Sequence, residues 1–198
     1  MQPFYRFCLL AGVPILRGLY RFRATGSELL PSSGFVLASN HESNFDPWPL
    51  ALGARRRQLL FMTKAEAFTS VLGPMLRAGG AFPVQRGSRD ATAFETAVRL
   101  VRAGEIVVVF PEGTRRQKGR KKGPPEVATG AARIAFRGGV PLVPAAISGT
   151  DNLLGLGPIT VAFDRPVSVE DLHGLGIHER ARIATERLVE TIERLRTR

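Results

Sequence analysis

Short apolar runs alternate with longer stretches of helical period along most of the chain, and this alternation limits the fold more than any other feature. The runs are Phe35 to Ala38, Leu59 to Met62, Ala81 to Val84, Ile106 to Phe110, Leu142 to Ile147 and Ile159 to Phe163. Each is short and continuous, as a buried strand requires. Between them, Asp90 to Arg102 places Phe94, Ala97, Val98 and Val101 on one helical face, and Gly104 stops it. Ala65 to Ala78 and Ala128 to Arg137 are shorter helical candidates. His178 to Arg196 aligns Ala181, Ala184, Leu188, Ile192 and Leu195 on one face of a closing surface helix. Strands separated by helices predict an α/β fold, a single domain with a largely parallel central sheet flanked by helices. A chain of 198 residues suits one such domain, and neither an internal repeat nor a linker divides it.

Residues 1–23 read as an N-terminal membrane-interfacial segment and residues 24–198 as the domain that carries the chemistry. Phe7 to Leu16 is apolar, with Arg6 and Arg17 on either side and Pro14 inside it. About ten residues fall short of the roughly 20 that cross a hydrocarbon core. A signal peptide would need a small-residue cleavage site, and no clear one follows. Two readings of this segment stand side by side. An interfacial helix would sink Phe4, Phe7, Leu9, Leu10, Ile15, Leu16 and Leu19 into the acyl boundary, while Arg6, Arg17, Arg21 and Arg23 meet lipid phosphates. The same periodicity also suits a helix packed on the domain's own core.

The charge balance narrows the partners. Lys and Arg number 28 against 17 Asp and Glu, a net charge of +11. Such an excess attracts polyanions: nucleic acid, an anionic membrane surface or a phosphorylated substrate. Nucleic acid is not expected, because no recognition motif is present and two Tyr and one Trp leave little to stack on bases. The densest basic run is Arg115, Arg116, Lys118, Arg120, Lys121 and Lys122, ahead of Gly123-Pro124-Pro125. It is either a solvated loop or, since it starts inside a candidate site motif, part of an anion site. The single cysteine, Cys8, cannot form an intrachain disulfide, which favours a reducing, intracellular setting.

Chemistry enters at Ser39-Asn40-His41-Glu42-Ser43-Asn44-Phe45-Asp46-Pro47-Trp48. This stretch joins the first strand-like run to a helix starting near Trp48, with Asp46 as a candidate N-cap and Pro47 at the first helical position. If the connection curls, Asp46 can accept the proton of one imidazole N–H of His41 in a hydrogen bond and leave the other nitrogen free as a base. The bland alternative is that Asp46 only caps a helix and His41 only fills a loop. Ser43 could instead act as a nucleophile paired with His41, although no G-x-S-x-G elbow is present. His41, Glu42, Asp46 and Glu112 are all metal-ligand types, yet no H-E-x-x-H or cysteine pair accompanies them, and no metal is expected.

Three further motifs follow in order: Gly80-Ala81-Phe82-Pro83-Val84-Gln85-Arg86-Gly87, then Val109-Phe110-Pro111-Glu112-Gly113-Thr114-Arg115, then Val140-Pro141-Leu142-Val143-Pro144. From about Ser33 to about Gly149 the chain resembles the glycerolipid acyltransferase family, most closely the bacterial type of 1-acylglycerol-3-phosphate acyltransferase. The resemblance implies that His41 is the general base on the acceptor hydroxyl and that Asp46 orients it, with Ser43 shaping the loop. It implies that Glu112, Gly113, Thr114 and Arg115 bind the glycerol phosphate acceptor, with Arg86 in a second acceptor motif and Lys64 a further candidate for the phosphate. Guanidinium groups suit that task because they match phosphate bidentately.

The implied reaction moves a fatty acyl group from acyl-CoA or acyl carrier protein, as substrate and with no cofactor, to the sn-2 hydroxyl of a lysophosphatidate-like lipid. The implied place is the cytoplasmic face of the cell membrane, as a peripheral or monotopic protein on an anionic surface. Glu42, Gln85, Arg116 and Thr129 depart from residues common in the family, which leaves another lysophospholipid or alcohol open as acceptor. A reading from a different class is a non-catalytic basic module on anionic membranes or nucleic acid.

Overall fold

A computed structural model describes residues 3–54, 58–69, 71, 73–84, 91–111 and 129–197. In chain order these residues form α1 (Pro3–Tyr20), β1 (Arg23–Thr25), β2 (Phe35–Ser39), α2 (Pro47–Ala54), β3 (Leu59–Lys64), α3 (Gly73–Ala78) and β4 (Ala81–Val84). There follow α4 (Ala91–Arg102), β5 (Ile106–Val109), α5 (Gly130–Gly138), β6 (Leu142–Ser148), β7 (Thr160–Phe163) and α6 (Ile177–Arg196). The strands make one sheet of seven in the order β1-β7-β6-β2-β5-β3-β4. β6, β2, β5, β3 and β4 run parallel to one another, while β7 is antiparallel to β6 and carries β1 alongside it. The expected α/β domain with a largely parallel sheet is the observed one.

The strand period divides the core into two layers. Phe35 and Leu37 of β2 face the side covered by α1 and α2, and Val36 and Ala38 face the side covered by α4, α5 and α6. Strands buried on both faces are continuous apolar runs for this reason. α2 is apolar all round because α1 covers it on one side while β1 and β7 meet it on the other. The small residues there set the spacing. A Cβ on Gly12 of α1 would stand 3.2 Å from Leu52 Cδ1, and one on Gly53 would stand 3.2 Å from Val161 and Phe163 side-chain atoms.

α1 packs on the domain's own core with one face and leaves the other face apolar and exposed. Tyr5 and Leu16 are buried in the core, and the Tyr5 hydroxyl accepts the Leu59 N–H at 3.1 Å, which ties the helix to the first residue of β3. Burial pushes the Tyr5 phenol up to about 12, with that backbone hydrogen bond opposing it. On the other face Phe7, Leu10, Ile15 and Leu19 are more than half exposed, at 53 to 76%. Among the described residues no helix is long and apolar enough to cross a membrane.

Two features depart from expectation. β1 has no apolar run, and its three residues Arg23, Ala24 and Thr25 pair with β7 at the edge of the sheet. The stretch 65–78 is not one helix but a 3-10 turn, Ala65–Thr69, followed by the short α3. Gly73 explains the break. A Cβ there would lie 2.3 Å from the Phe68 carbonyl oxygen, so the two pieces fold tightly against each other, and Pro74 suits the first turn of the new helix.

Candidate active site

β5, β2 and β6 are neighbours in the parallel part of the sheet, so their carboxyl ends open at one edge. Ligands of open α/β sheets gather at such edges. β2 ends at Ser39, and the buried Asn40 side chain continues its pairing with β6. The Asn40 amide nitrogen donates to the Ile147 carbonyl at 2.8 Å, and its oxygen accepts the Ile147 N–H at 2.9 Å. The backbone is thereby released from the ladder one residue before His41 without leaving β6 unsatisfied.

The loop from 41 to 46 curls so that His41 Nδ1 lies 2.6 Å from Asp46 Oδ2. That oxygen also accepts the Glu42 N–H at 2.8 Å and the Ser43 N–H at 3.0 Å, and Asp46 Oδ1 accepts the Thr150 hydroxyl. Asp46 is fully buried, and these donors are what make a buried carboxylate tolerable. The expected N-cap is only half realised. The Asp46 carbonyl accepts the Leu50 N–H and opens α2, but the carboxylate turns back into the loop rather than onto the helix. It serves the histidine and its neighbouring amides.

The His41 ring stacks on Phe110, the residue after β5, with centroids 4.2 Å apart and planes 19° apart. Its side chain is 14% exposed. With Nδ1 committed to Asp46, Nε2 has no hydrogen-bond partner among the described residues. A neutral imidazole held in this way presents a lone pair at Nε2 and can accept a proton from a hydroxyl. Ser43 is engaged elsewhere: its Oγ accepts the Phe45 N–H at 3.0 Å, and no hydrogen bond joins it to His41 among the described residues. That is a loop-shaping contact.

Glu42 lies on the other side of the loop. Its Oε2 accepts the Gly149 N–H at 3.2 Å, and its Oε1 meets Arg196 Nη2 at 3.3 Å. Gly149 has φ +88°, and a Cβ there would lie 2.2 Å from the Pro158 carbonyl oxygen, so the turn after β6 requires glycine. Burial raises the Glu42 carboxyl above its ordinary range, and Arg196 opposes that shift.

The structure joins His41 to Asp46 as expected. Lys64 ends β3 at the same edge of the sheet, though its side chain lies outside the described residues. Arg86, Glu112, Gly113, Thr114 and Arg115 also lie outside them, since description stops at Val84 and at Pro111. Among the described residues no three His, Cys, Asp or Glu side chains gather to hold a metal ion. Sequence reasoning missed Asn40, Phe110, Thr150 and Arg196. For Thr150 the available signal was a Ser148-Gly149-Thr150 stretch directly after the apolar run Leu142 to Ile147, a pattern common in ordinary loops.

Thr150 can be tested directly. Thr150→Val removes the hydroxyl at nearly constant shape and leaves Asp46 short of a buried donor. It should cost about 1.5 to 3 kcal/mol of stability, the usual range for a hydrogen bond to a charged group, and lower turnover with it. Thr150→Ser should restore both. Urea denaturation and activity of the two variants decide, and wild-type behaviour of Thr150→Val would remove the hydroxyl from the network.

Comparison with known proteins gives the family. The Acyltransferase family profile matches residues 21–148. The 1-acyl-sn-glycerol-3-phosphate acyltransferase of Bacillus subtilis strain 168 is 33% identical over 196 residues, covering 96% of each chain. The enzyme of the same name from Streptococcus pneumoniae is 29% identical over 70% of this chain and 52% of its own length. Among solved structures, the crystal structure of the 1-acyl-sn-glycerophosphate acyltransferase of Thermotoga maritima superposes with a TM-score of 0.74 at 25% identity, covering 98% of this chain and 80% of that one.

Proposed function

Because the chain belongs to the Acyltransferase family, we propose that it moves a fatty acyl group from a thioester donor to the sn-2 hydroxyl of 1-acylglycerol-3-phosphate, giving phosphatidic acid for phospholipid synthesis. The observation that carries this reading is the His41 Nδ1–Asp46 Oδ2 contact at the carboxyl edge of the parallel sheet. It makes a general base without a protein nucleophile. His41 Nε2 takes the proton of the acceptor hydroxyl as its oxygen attacks the thioester carbonyl. The C–O bond forms, the C–S bond breaks, and the imidazolium returns the proton to the leaving thiolate. Asp46 stabilises the imidazolium and holds the ring in the productive tautomer. The acceptor phosphate falls to Arg86, Arg115 and Lys64, with Glu112, Gly113 and Thr114 completing the acceptor site. The donor is acyl-CoA or acyl carrier protein, and no cofactor is required. Products formed from acyl-CoA or acyl carrier protein and a panel of lysolipids test the reading. Phosphatidate as the main product is the expected result, and preference for an acceptor lacking the phosphate would refute it.

We infer a peripheral or monotopic place on the cytoplasmic face of the membrane. Support comes from the exposed apolar side chains of α1 and from Arg6, Arg17, Arg21 and Arg23, which are all exposed around it. Truncating the helix would be a poor test, because Tyr5 and Leu16 belong to the core. Phe7→Glu with Leu10→Glu changes only exposed positions. In liposome sedimentation this double variant should bind anionic vesicles at least about tenfold more weakly, since each apolar side chain contributes about 1.5 kcal/mol or more when fully buried. Wild-type binding should also fall with salt. Equal binding by the two proteins would remove α1 from the membrane contact.

A further inference from the structure

We propose that Arg196, in the last turn of α6, is a positioning residue for the loop that carries His41. It holds the Glu42 carboxylate and offsets part of the negative charge that an anionic acceptor meets beside the base. This rests on the lysophosphatidate reading above.

The contact joins residues 154 apart in sequence, and both side chains are largely buried, at 22% exposure for Arg196 and 13% for Glu42. Arg196 Nη2 meets Glu42 Oε1 at 3.3 Å, while its Nη1 meets the Glu193 carboxylate oxygens at 3.2 Å. The rest of Glu42 is held by the Gly149 N–H in the turn after β6, at 3.2 Å, and by Asn40 Nδ2 just before the loop, at 3.5 Å. The other charged or titratable groups around it are His41 and Asp46 on the loop and Asp151 just after β6. Asp46 and Asp151 act on Glu42 in the same sense as burial, and Arg196 acts against it. Asp46 is fully engaged by four donors, so it offers Glu42 no relief.

A carboxylate at position 42 is therefore an unusual choice beside a site for an anionic lipid, and Arg196 is what makes it tolerable. Without the guanidinium, Glu42 remains largely buried with no cation beside it among the described residues. It then repels the acceptor phosphate through a medium of intermediate dielectric, partly screened by salt, and the expected affinity loss is about five- to tenfold.

The test uses Arg196→Ala, Arg196→Lys and the double variant Arg196→Ala with Glu42→Gln, all in the full chain. Arg196→Ala should raise the acceptor KM about five- to tenfold while kcat changes by less than about twofold, and Arg196→Lys should stay near wild type because it keeps the charge. Glu42→Gln in the Arg196→Ala background should return KM to the wild-type range, since Gln still accepts the Gly149 N–H but carries no charge. A purely mechanical role for Arg196 would not be rescued in this way. An unchanged KM in Arg196→Ala, or a double variant as impaired as the single one, overturns the proposal. Amide exchange at Gly149 needs no substrate and should speed up about tenfold in Arg196→Ala; unchanged exchange also overturns it. If the wild-type protein makes no phosphatidate, the functional reading fails, and Gly149 exchange still decides whether Arg196 holds Glu42.

Discussion

His41→Ala should lower kcat by about 10²- to 10⁴-fold, the range for losing a positioned general base. The fold should survive, because His41 contributes a ring stack on Phe110 and one hydrogen bond, and Asp46 keeps the Glu42 and Ser43 amides and the Thr150 hydroxyl. Asp46→Asn is the more instructive variant. The two amides point at Oδ2, so the Asn oxygen should settle there and its NH2 should face Thr150, whose hydroxyl can turn to accept. The His41 tautomer is then preserved, and the loss, about 10- to 10²-fold, comes from the missing charge opposite the imidazolium. The double variant should be no worse than His41→Ala alone, because without the base there is nothing to stabilise. Single-turnover acyl transfer, with folding followed by circular dichroism, measures all three. Near-normal transfer by His41→Ala would end the general-base mechanism, and an acyl group trapped on Ser43 would replace it with a covalent one.

Local chemistry was legible in the sequence, and long-range chemistry was not. The apolar runs became β2 to β7 with no end shifted by more than two residues, because a strand buried on both faces leaves a continuous run. The His41–Asp46 pair was legible because only four residues separate its members. β1 was not, since edge pairing with β7 needs backbone rather than apolar side chains. The helix expected over 65–78 hid the Gly73 contact with Phe68, which is tertiary packing written as a single glycine. Thr150 and Arg196 reach the catalytic loop across 104 and 154 residues, and no local pattern announces such a meeting. α1 shows why its two readings could not be separated: an apolar helix with Tyr5 and Leu16 inward and Phe7 and Leu10 outward fits both.

Arg115→Ala should impair use of the acceptor far more than use of the donor. Three of the four resemblance motifs carry polar residues just past the carboxyl end of a parallel strand: the His41 loop after β2, Arg86 two residues after β4, and Glu112 to Arg115 beginning three residues after β5, while the fourth, Val140 to Pro144, runs into the start of β6. The last described part of that third motif is already at the base, since Phe110 stacks on His41. A basic residue five positions further along the same segment is a candidate clamp for the acceptor phosphate, and a guanidinium binds phosphate through two parallel hydrogen bonds. Losing such a contact should cost about 2 to 4 kcal/mol of transition-state binding, or about 30- to 1,000-fold in kcat/KM for the acceptor. Arg115→Lys should fall between, because an ammonium keeps the charge but not the fork. Steady-state kinetics with acceptor and donor varied in turn separate the two substrates. Unchanged acceptor KM and unchanged kcat in Arg115→Ala would return Arg115 to the solvated basic run that begins there, and the phosphate would have to be held by Arg86 or Lys64 instead.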